Sequence, residues 1–199
     1  MKLTAAAPHD VSASLEFLLQ EIEGLRTKWT GPRRLRVDLP ADTLPALLEL
    51  LKGRAGFVHL SAITCVDWPD RQEFELIYHL WSYEVKVLVM AHIRIARDPG
   101  FYLSVYDLYK PAAFFERDIH EMFGVFFEGS PDMGKFILTE WDGPPPMRKE
   151  FDGEAWVMDH FGWQDYQPDW LKDIEAQGGG ITKRPEELRH RGKSGDGKQ

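Results

Sequence analysis

The chain has 199 residues, of which 43% are hydrophobic, and a formal net charge of −8 at pH 7. This length suits one domain with tails, and the acidic balance argues against nucleic acid as a partner. The single cysteine, Cys65, cannot form an internal disulfide framework or supply the four thiolates of a typical iron–sulfur cluster. A reduced, cytosolic setting fits this composition.

The start of the chain predicts a helix, a strand and a second helix. Apolar residues recur at helical spacing over Asp10–Gly31, which predicts a first helix that ends near Gly31. The alternation in RRLRVDLP predicts a short strand. The second helix is expected to begin at Asp42 or Thr43 and to stop at Gly53.

Three strands are predicted in the middle of the chain. The segments GFVHLSAITCVDW, EFELIYHLWS and EVKVLVMAHIRI are rich in β-branched and aromatic residues, and the last two form a predicted hairpin. One face of the second strand is apolar and the other is mixed. These patterns favour a mainly antiparallel sheet with helices packed on one side, which is an α+β fold.

A charged helix follows. Pro111 suits the first turn of a helix that runs to Phe123, with Gly124 just past its end. Its apolar side consists of Phe115, Ile119 and Met122, whereas Glu116, Arg117, His120 and Glu121 occupy the rest. After it come two loops, the second of which holds three prolines before Arg148 and Lys149.

The charged helix has two functional interpretations, besides a purely structural one in which it and the proline loop merely close the domain. Glu116, Asp118, His120 and Glu121 have metal-binding side chains, but neighbouring helix positions point in different directions. A metal-dependent hydrolase would rest on this acid cluster alone, and the sequence contains no phosphate-binding glycine loop and no GxSxG elbow. The second interpretation is a surface whose charges set the register of an interface with a partner.

The C-terminal part is aromatic but has no regular period. The segment DGEAWVMDHFGWQDYQPDW predicts an extended tail with Trp156, Trp163 and Trp170 as anchors on a partner. No run approaches the ~18 apolar residues of a transmembrane helix, so membrane contact is expected only through partners. The predicted organisation is a flexible N-terminus over residues 1–10, an α+β domain over 11–151, a partner-binding segment over 152–177 and a mobile tail over 178–199.

The segment ERDIHEMFGVFFEGSPDMGKFILTEWDGPPPMRKEF resembles the signature of the 30-kilodalton, C-type subunit family of NADH-quinone oxidoreductase, which is respiratory complex I. Two positions depart from the family pattern: Ser130 stands where histidine is usual, and Gly134 stands where arginine is usual. The matching positions are Glu116, Arg117, Glu121, Gly124, Pro131, Asp132, Arg148 and Lys149.

The resemblance implies a cofactor-free structural subunit in the hydrophilic arm of a proton-pumping NADH:quinone oxidoreductase. It would dock on the large, 49-kilodalton-type quinone-site subunit beside iron–sulfur subunits, at the cytoplasmic side of the cell membrane or the equivalent matrix or stromal side. Iron–sulfur clusters and FMN would lie in other subunits. Related subunits occur in F420H2 dehydrogenases and membrane-bound hydrogenases, which remain alternatives, as does a stand-alone soluble adaptor.

Overall fold

A five-stranded sheet with helices on one face forms the main unit of the chain. The structure is a computed structural model and describes residues 8–161. The helices are α1 (Pro8–Leu19), α2 (Leu44–Ala55), α3 (Ala112–Phe123) and α4 (Gly153–Phe161). The strands are β1 (Arg26–Gly31), β2 (Arg34–Asp38), β3 (His59–Trp68), β4 (Glu73–Ser82), β5 (Val87–Ala96), β6 (Phe101–Leu103) and β7 (Phe126–Glu128).

The order of strands in the large sheet is β1-β2-β5-β4-β3. Three of its four pairs are antiparallel, and the pair of β2 with β5 is parallel. Strands β6 and β7 form a separate parallel pair. The predicted α+β class with a mainly antiparallel sheet is therefore confirmed.

The two faces of the large sheet differ in burial. On β4, the side chains of Phe74, Leu76, Tyr78 and Leu80 are fully buried against the helices. Most of the alternate residues of β4 and β5, Ile77 and Met90 among them, are half-buried, because successive side chains of a strand point to opposite faces. We call this second face the open face.

The predicted first helix was too long. Helix α1 ends at Leu19, and the later residues form a turn, in which Gly24 has φ +80°, and then the strand β1. Ile22, Leu25 and Trp29 pack against the core from these other elements. Their spacing resembled a helical stripe, but Ile22 and Leu25 lie in the turn before β1, and Trp29 is held by cross-strand pairing with Leu35 of β2.

Two other boundaries also needed correction. Helix α2 continues past Gly53 because Ala55 is fully buried in the core. It ends at Ala55 and is followed by Gly56, which has φ +68°. The segment over 152–177 was predicted to be extended, but it begins with helix α4. In the first turn of α4, the Ala155 N–H donates to the Asp152 carboxylate at 3.0 Å. The junction between Phe151 and Asp152 also divides the chain into two compact units.

Several expectations lie outside the described residues. These are residues 1–7 of the predicted flexible N-terminus, the anchors Trp163 and Trp170, and the tail from Gly178. The last three residues of that predicted N-terminus, 8–10, begin helix α1 instead. Within residues 8–161, no helix is both long and apolar enough to cross a membrane. Cys65 is half-buried on β3 and packs against the core, and burial raises the pKa of its thiol.

The hydroxyl of Tyr78 offers a test of the core. It is buried without a hydrogen-bond partner among the described residues. We expect Tyr78→Phe to leave the free energy of unfolding unchanged or to raise it by up to about 1 kcal/mol, because it removes an unpaired polar group and keeps the ring. Thermal and urea unfolding measure this effect.

Tyr109→Phe is the matched control, since the Tyr109 hydroxyl donates to the Phe57 carbonyl at 2.7 Å. It is expected to lower the free energy of unfolding by about 1 kcal/mol. An equal loss in both variants would show that the Tyr78 hydroxyl has a partner after all.

Candidate functional site

Helix α3 presents its charged residues to several neighbouring segments. Glu116 is fully buried, and its carboxylate accepts the Ser104 hydroxyl at 2.7 Å and the Val105 N–H at 2.8 Å. These donors satisfy a charge that would otherwise be costly to bury. The prediction from sequence that Glu116 lies on the charged side of the helix was wrong: this carboxylate anchors the loop after β6 to α3.

Arg117 binds the loop that follows β7, residues 129–138, which we call the signature loop. Its guanidinium donates from Nε to the Gly134 carbonyl at 2.8 Å, donates to the Lys135 carbonyl and pairs with Asp132 at 2.8 Å. It also lies 5.1 Å from the centre of the Phe136 ring. Arg117 therefore finds its acidic partner within the chain, in the loop that it orders.

Glu121 holds the other half of the signature loop. Its carboxylate accepts the N–H groups of Phe136 and Ile137, both at 2.8 Å, and that of Leu138 at 3.1 Å. Burial by itself would raise the pKa of Glu121, but these three donors and the nearby Arg117 outweigh burial and hold the pKa below its ordinary value. Arg117 and Glu121 together form a clamp between α3 and the signature loop.

The lowered pKa of Glu121 predicts a pH dependence of the clamp. A carboxylate whose folded pKa is depressed contributes stability above its unfolded pKa, and this contribution disappears as the pH falls through the folded value. We expect the free energy of unfolding of wild type to exceed that of Glu121→Gln above pH 4.5, the ordinary value, and the gap to close as the pH falls further. Urea unfolding from pH 7 to pH 3 measures the gap.

Glu140→Gln is the control for this measurement, because Glu140 is exposed in the following segment. Its gap from wild type should stay small at every pH. A gap for Glu121→Gln that does not change with pH would contradict the assignment of the clamp to the ionised carboxylate.

The C-terminal end of α3 is closed by Gly124 and Arg148. Gly124 has φ +77°, and a Cβ at this position would lie 2.9 Å from the guanidinium of Arg148. Arg148 donates from Nε to the Phe123 carbonyl at 2.7 Å and lies 5.5 Å from the Phe74 ring centre. Glycine is therefore required here both by backbone conformation and by the close approach of the arginine.

A buried ion pair attaches residues 148–151 to the sheet. Asp67, whose side chain is fully buried at the end of β3, accepts Arg97 at 2.8 and 3.1 Å and the Lys149 N–H at 2.9 Å. Burial opposes ionisation of Asp67, but these donors keep its pKa below the ordinary value. Arg97 also pairs with Glu150, whereas the side chain of Lys149 is exposed.

The clamp displays apolar side chains to solvent. Phe114 is 61% exposed, Phe136 38% and Ile137 58%, and the rings of Phe114 and Phe136 lie 6.3 Å apart. We call these three residues the apolar platform. A groove of about 270 Å³ opens beside them, and its lining includes His120, Gly124, Met133, Leu138, Trp141 and Pro145.

The acidic residues and the histidine of α3 do not converge on a common metal site. Glu116 and Glu121 bind different loops, and His120 is 2.9 Å from the Val125 carbonyl. Among residues 8–161, a histidine and two carboxylates meet elsewhere, on the open face: the ligand atoms of Asp38, Glu75 and His92 lie within 4.8 Å of one another.

This cluster could not be predicted from sequence, because its members come from three strands that only the sheet register brings together. Arg36 binds both carboxylate oxygens of Asp38, and Trp68 donates to Glu75 at 2.9 Å. These contacts are those of an ion-pair and hydrogen-bond network on the sheet.

A sequence model of the family described as "Respiratory-chain NADH dehydrogenase, 30 Kd subunit" matches residues 37–157, more than half of the chain. The chain belongs to this family. The C-type subunit of the F(420)H(2) dehydrogenase of Methanosarcina mazei is 35% identical over 124 residues, covering 62% of this chain and 78% of the relative. The C-type subunit of the NADH-quinone oxidoreductase of Rhizobium rhizogenes is 32% identical over 126 residues, which are 62% of this chain and 62% of the relative.

Solved structures agree with the family. A chain in the structure of the membrane-bound sulfane sulfur reductase, an archaeal respiratory membrane complex, has a TM-score of 0.73 and 33% identity, covering 80% of this chain and 96% of that one. A trypsin-resistant fragment of Nqo5 has a TM-score of 0.52 and 25% identity, covering 61% of this chain and 98% of the fragment. The predicted resemblance to the 30-kilodalton family is confirmed.

The positions that match the family signature have separate tasks in the structure. Glu116, Arg117, Glu121 and Arg148 make internal contacts, whereas Pro131 and Lys149 are exposed. Trp156, in α4, is half-buried and stacks on His160 with ring centres 4.0 Å apart. Of the two departures, Ser130 has a buried hydroxyl oxygen with no hydrogen-bond partner among the described residues, and Gly134 supplies a carbonyl to Arg117.

Proposed function

We propose that this chain is a cofactor-free structural subunit in the hydrophilic arm of a membrane-bound, proton-pumping NADH:quinone oxidoreductase. In this role it docks on the large quinone-site subunit and supports electron transfer to quinone without taking part in the chemistry. Membership of the 30 Kd subunit family supports this role. The observation that carries the proposal is the clamp, which orders a loop and leaves apolar side chains uncovered.

The arrangement of charge explains why the site suits docking. The carboxylate of Glu121 and the guanidinium of Arg117 are engaged in holding the signature loop, so their task is to fix the loop before a partner arrives. A preordered loop loses less conformational entropy on binding than a flexible one. Aromatic anchors that are held in place in this way are typical of interface hot spots.

The groove next to the apolar platform fits the same role. It lies between the end of α3 and the signature loop, and its walls are largely apolar with Glu121 and Lys135 at the sides. A pocket of about 270 Å³ accepts one large side chain of a partner. We assign the platform and the groove together to the large quinone-site subunit.

The test is purification of the tagged chain from native membranes after mild detergent extraction. The expected companions are the large quinone-site subunit and iron–sulfur subunits, together with an FMN-binding subunit where the complex oxidises NADH. The same membranes should reduce quinone with NADH, and the isolated chain should contain no flavin and no iron. Recovery of the chain without any companion would contradict the proposal and would favour a stand-alone adaptor.

A second candidate is the corresponding subunit of a complex with another electron donor. The 35% identity to the F(420)H(2) dehydrogenase relative and the 33% identity to a chain of the sulfane sulfur reductase complex favour it. In that case the complex retains the large and iron–sulfur subunits but lacks the FMN-binding subunit that oxidises NADH. Measuring the oxidation of NADH and of F420H2 by the same membranes separates the two candidates.

A further inference from the structure

The strands β1 and β2 and their turn carry a concentration of positive charge. Residues 26–38 contain five basic residues and one acidic residue, a net charge of +4, in a chain whose formal net charge is −8. We call residues 26–38 the basic hairpin. Its basic residues are Arg26, Lys28, Arg33, Arg34 and Arg36.

Most of this charge points away from the helices. Leu35 and Val37 of β2 are fully buried beneath the helices, so the alternate residues Arg34 and Arg36 lie on the open face. The antiparallel register places Lys28 of β1 directly opposite Arg36, and directly opposed residues share a face of the sheet. The positive side chains of both strands therefore form one surface.

Four of the five basic side chains remain available. Arg36 is engaged with Asp38 at 2.6 Å. Arg26, Lys28, Arg33 and Arg34 are exposed, and none of them forms an ion pair with another described residue. Asp38, which lies opposite Arg26, is the one acidic residue of the hairpin, so a positive excess remains on an otherwise acidic chain and favours a negatively charged partner.

An apolar stripe adjoins the basic hairpin on the open face. In the parallel pair of β2 and β5, Leu88 lies next to Arg34 and Met90 next to Arg36. Trp81 of β4 lies opposite Leu88. These three apolar side chains are half-buried, so the surface combines a positive border with an apolar centre, as protein interfaces do.

Protection of the sheet edge is the simplest alternative explanation. Strand β1 is an edge strand, and charged residues on edge strands prevent pairing with other chains. Edge protection requires charge of either sign, however, and it does not explain the exposed Arg34 on the inner strand β2. An anionic lipid surface is the other alternative. Apolar side chains that bind membranes insert into the boundary between headgroups and acyl chains, whereas the apolar residues of this face, Leu88, Met90 and Trp81, are half-buried in the sheet.

We propose that the basic hairpin, with the stripe of Leu88, Met90 and Trp81, docks an acidic, amphipathic segment of a partner protein in which Asp or Glu residues border apolar side chains. This interface is separate from the apolar platform on α3. The inference rests on the proposed function in one respect, namely that the chain works inside a multi-subunit complex.

The first test uses the complex purified from native membranes and a carbodiimide, which joins an amine to a carboxylate in direct contact. We expect Lys28 to be linked to an Asp or Glu residue of another subunit, as identified by mass spectrometry of the digested product. Lys28 that stays unlinked, or that is linked only to residues 162–199 of its own chain, would overturn the proposal.

The second test is charge reversal with a matched control. Arg34→Glu is expected to reduce the recovered complex about tenfold at physiological salt, whereas Arg71→Glu, at the exposed turn before β4, should leave recovery unchanged. Both variants should melt like wild type. Equal recovery of the two variants would assign the basic hairpin to edge protection.

Two further outcomes separate the remaining explanations. Binding of the purified chain to phosphatidylserine-containing vesicles that disappears in Arg34→Glu would assign the surface to lipid headgroups and overturn the proposal. If the wild-type chain has no companions, the proposed function fails and this inference fails with it. If companions are present but Lys28 is unlinked and Arg34→Glu assembles normally, only this inference fails.

Discussion

Replacing Asp67 by alanine is expected to lower the free energy of unfolding by about 3 kcal/mol, because it leaves a buried arginine without its principal partner. The Asp67 side chain is fully buried and that of Arg97 is 13% exposed. Glu150, which is 56% exposed, remains as a weaker partner for Arg97, so the cost lies at the lower end of the range for broken buried pairs. Urea unfolding at neutral pH measures the loss.

The same substitution should have a local effect. The Lys149 N–H donates to Asp67 at 2.9 Å, and without this acceptor the amide is expected to exchange its hydrogen faster than in wild type. Asp70→Ala is the control, since Asp70 is exposed in the turn directly after β3, and it should change the free energy of unfolding by at most about 0.5 kcal/mol. Equal losses in the two variants would show that the buried pair contributes nothing specific.

The elements that the sequence predicted correctly are those whose signals are local. Burial alternates along β5 and along most of β4, where the buried Glu75 is the exception, because one face of each strand is buried beneath helices. Helix α3 was predicted from Pro111 and Gly124, and both residues lie where the helix begins and ends. In these places, propensity and packing favour the same conformation.

The boundaries that were wrong depend on long-range pairing. Strand β1 contains Trp29 at a position compatible with a helical stripe, and only its pairing with β2 identifies it as a strand. Gly53 has the composition of a helix stop, yet burial of Ala55 extends α2 beyond it. Such tertiary effects override local propensity and leave no clear trace in a single sequence.

The contacts of the charged residues on α3 differ from those that the sequence suggested. Arg117 and Glu121 were identified as interface charges, whereas the structure uses both to bind the backbone of the signature loop. Glu116 is fully buried and accepts donors from Ser104 and Val105, which precede α3 in the chain. A charged residue at a core position of a helix can be identified from sequence only when its partners are known.

The charged residues of the clamp and the aromatic side chains of the apolar platform have linked roles. The clamp uses its charges to fix the signature loop, and the loop then holds Phe136 and Ile137 at the surface next to Phe114. Hot-spot anchors typically contribute about 2 kcal/mol or more to binding. Loss of one anchor should therefore weaken assembly while the isolated domain keeps its stability.

Phe114→Asp is the most direct test of this division between clamp and platform. Phe114 is 61% exposed near the start of α3, where an acidic residue is compatible with the helix dipole, so the melting temperature of the isolated chain should stay close to that of wild type. Recovery of the complex from membranes should fall about thirtyfold, which corresponds to the loss of about 2 kcal/mol.

Phe17→Asp is the matched control, because Phe17 is 73% exposed on α1 and Phe114 belongs to α3. It makes the same chemical change on another helix and is expected to leave both the melting temperature and the recovery of the complex unchanged. Ile137→Asp, which alters the loop side of the platform, should behave like Phe114→Asp. If Phe114→Asp and Ile137→Asp both assemble normally and melt like wild type, the platform is not the docking surface. A charge at either position would then leave assembly of the complex unaffected.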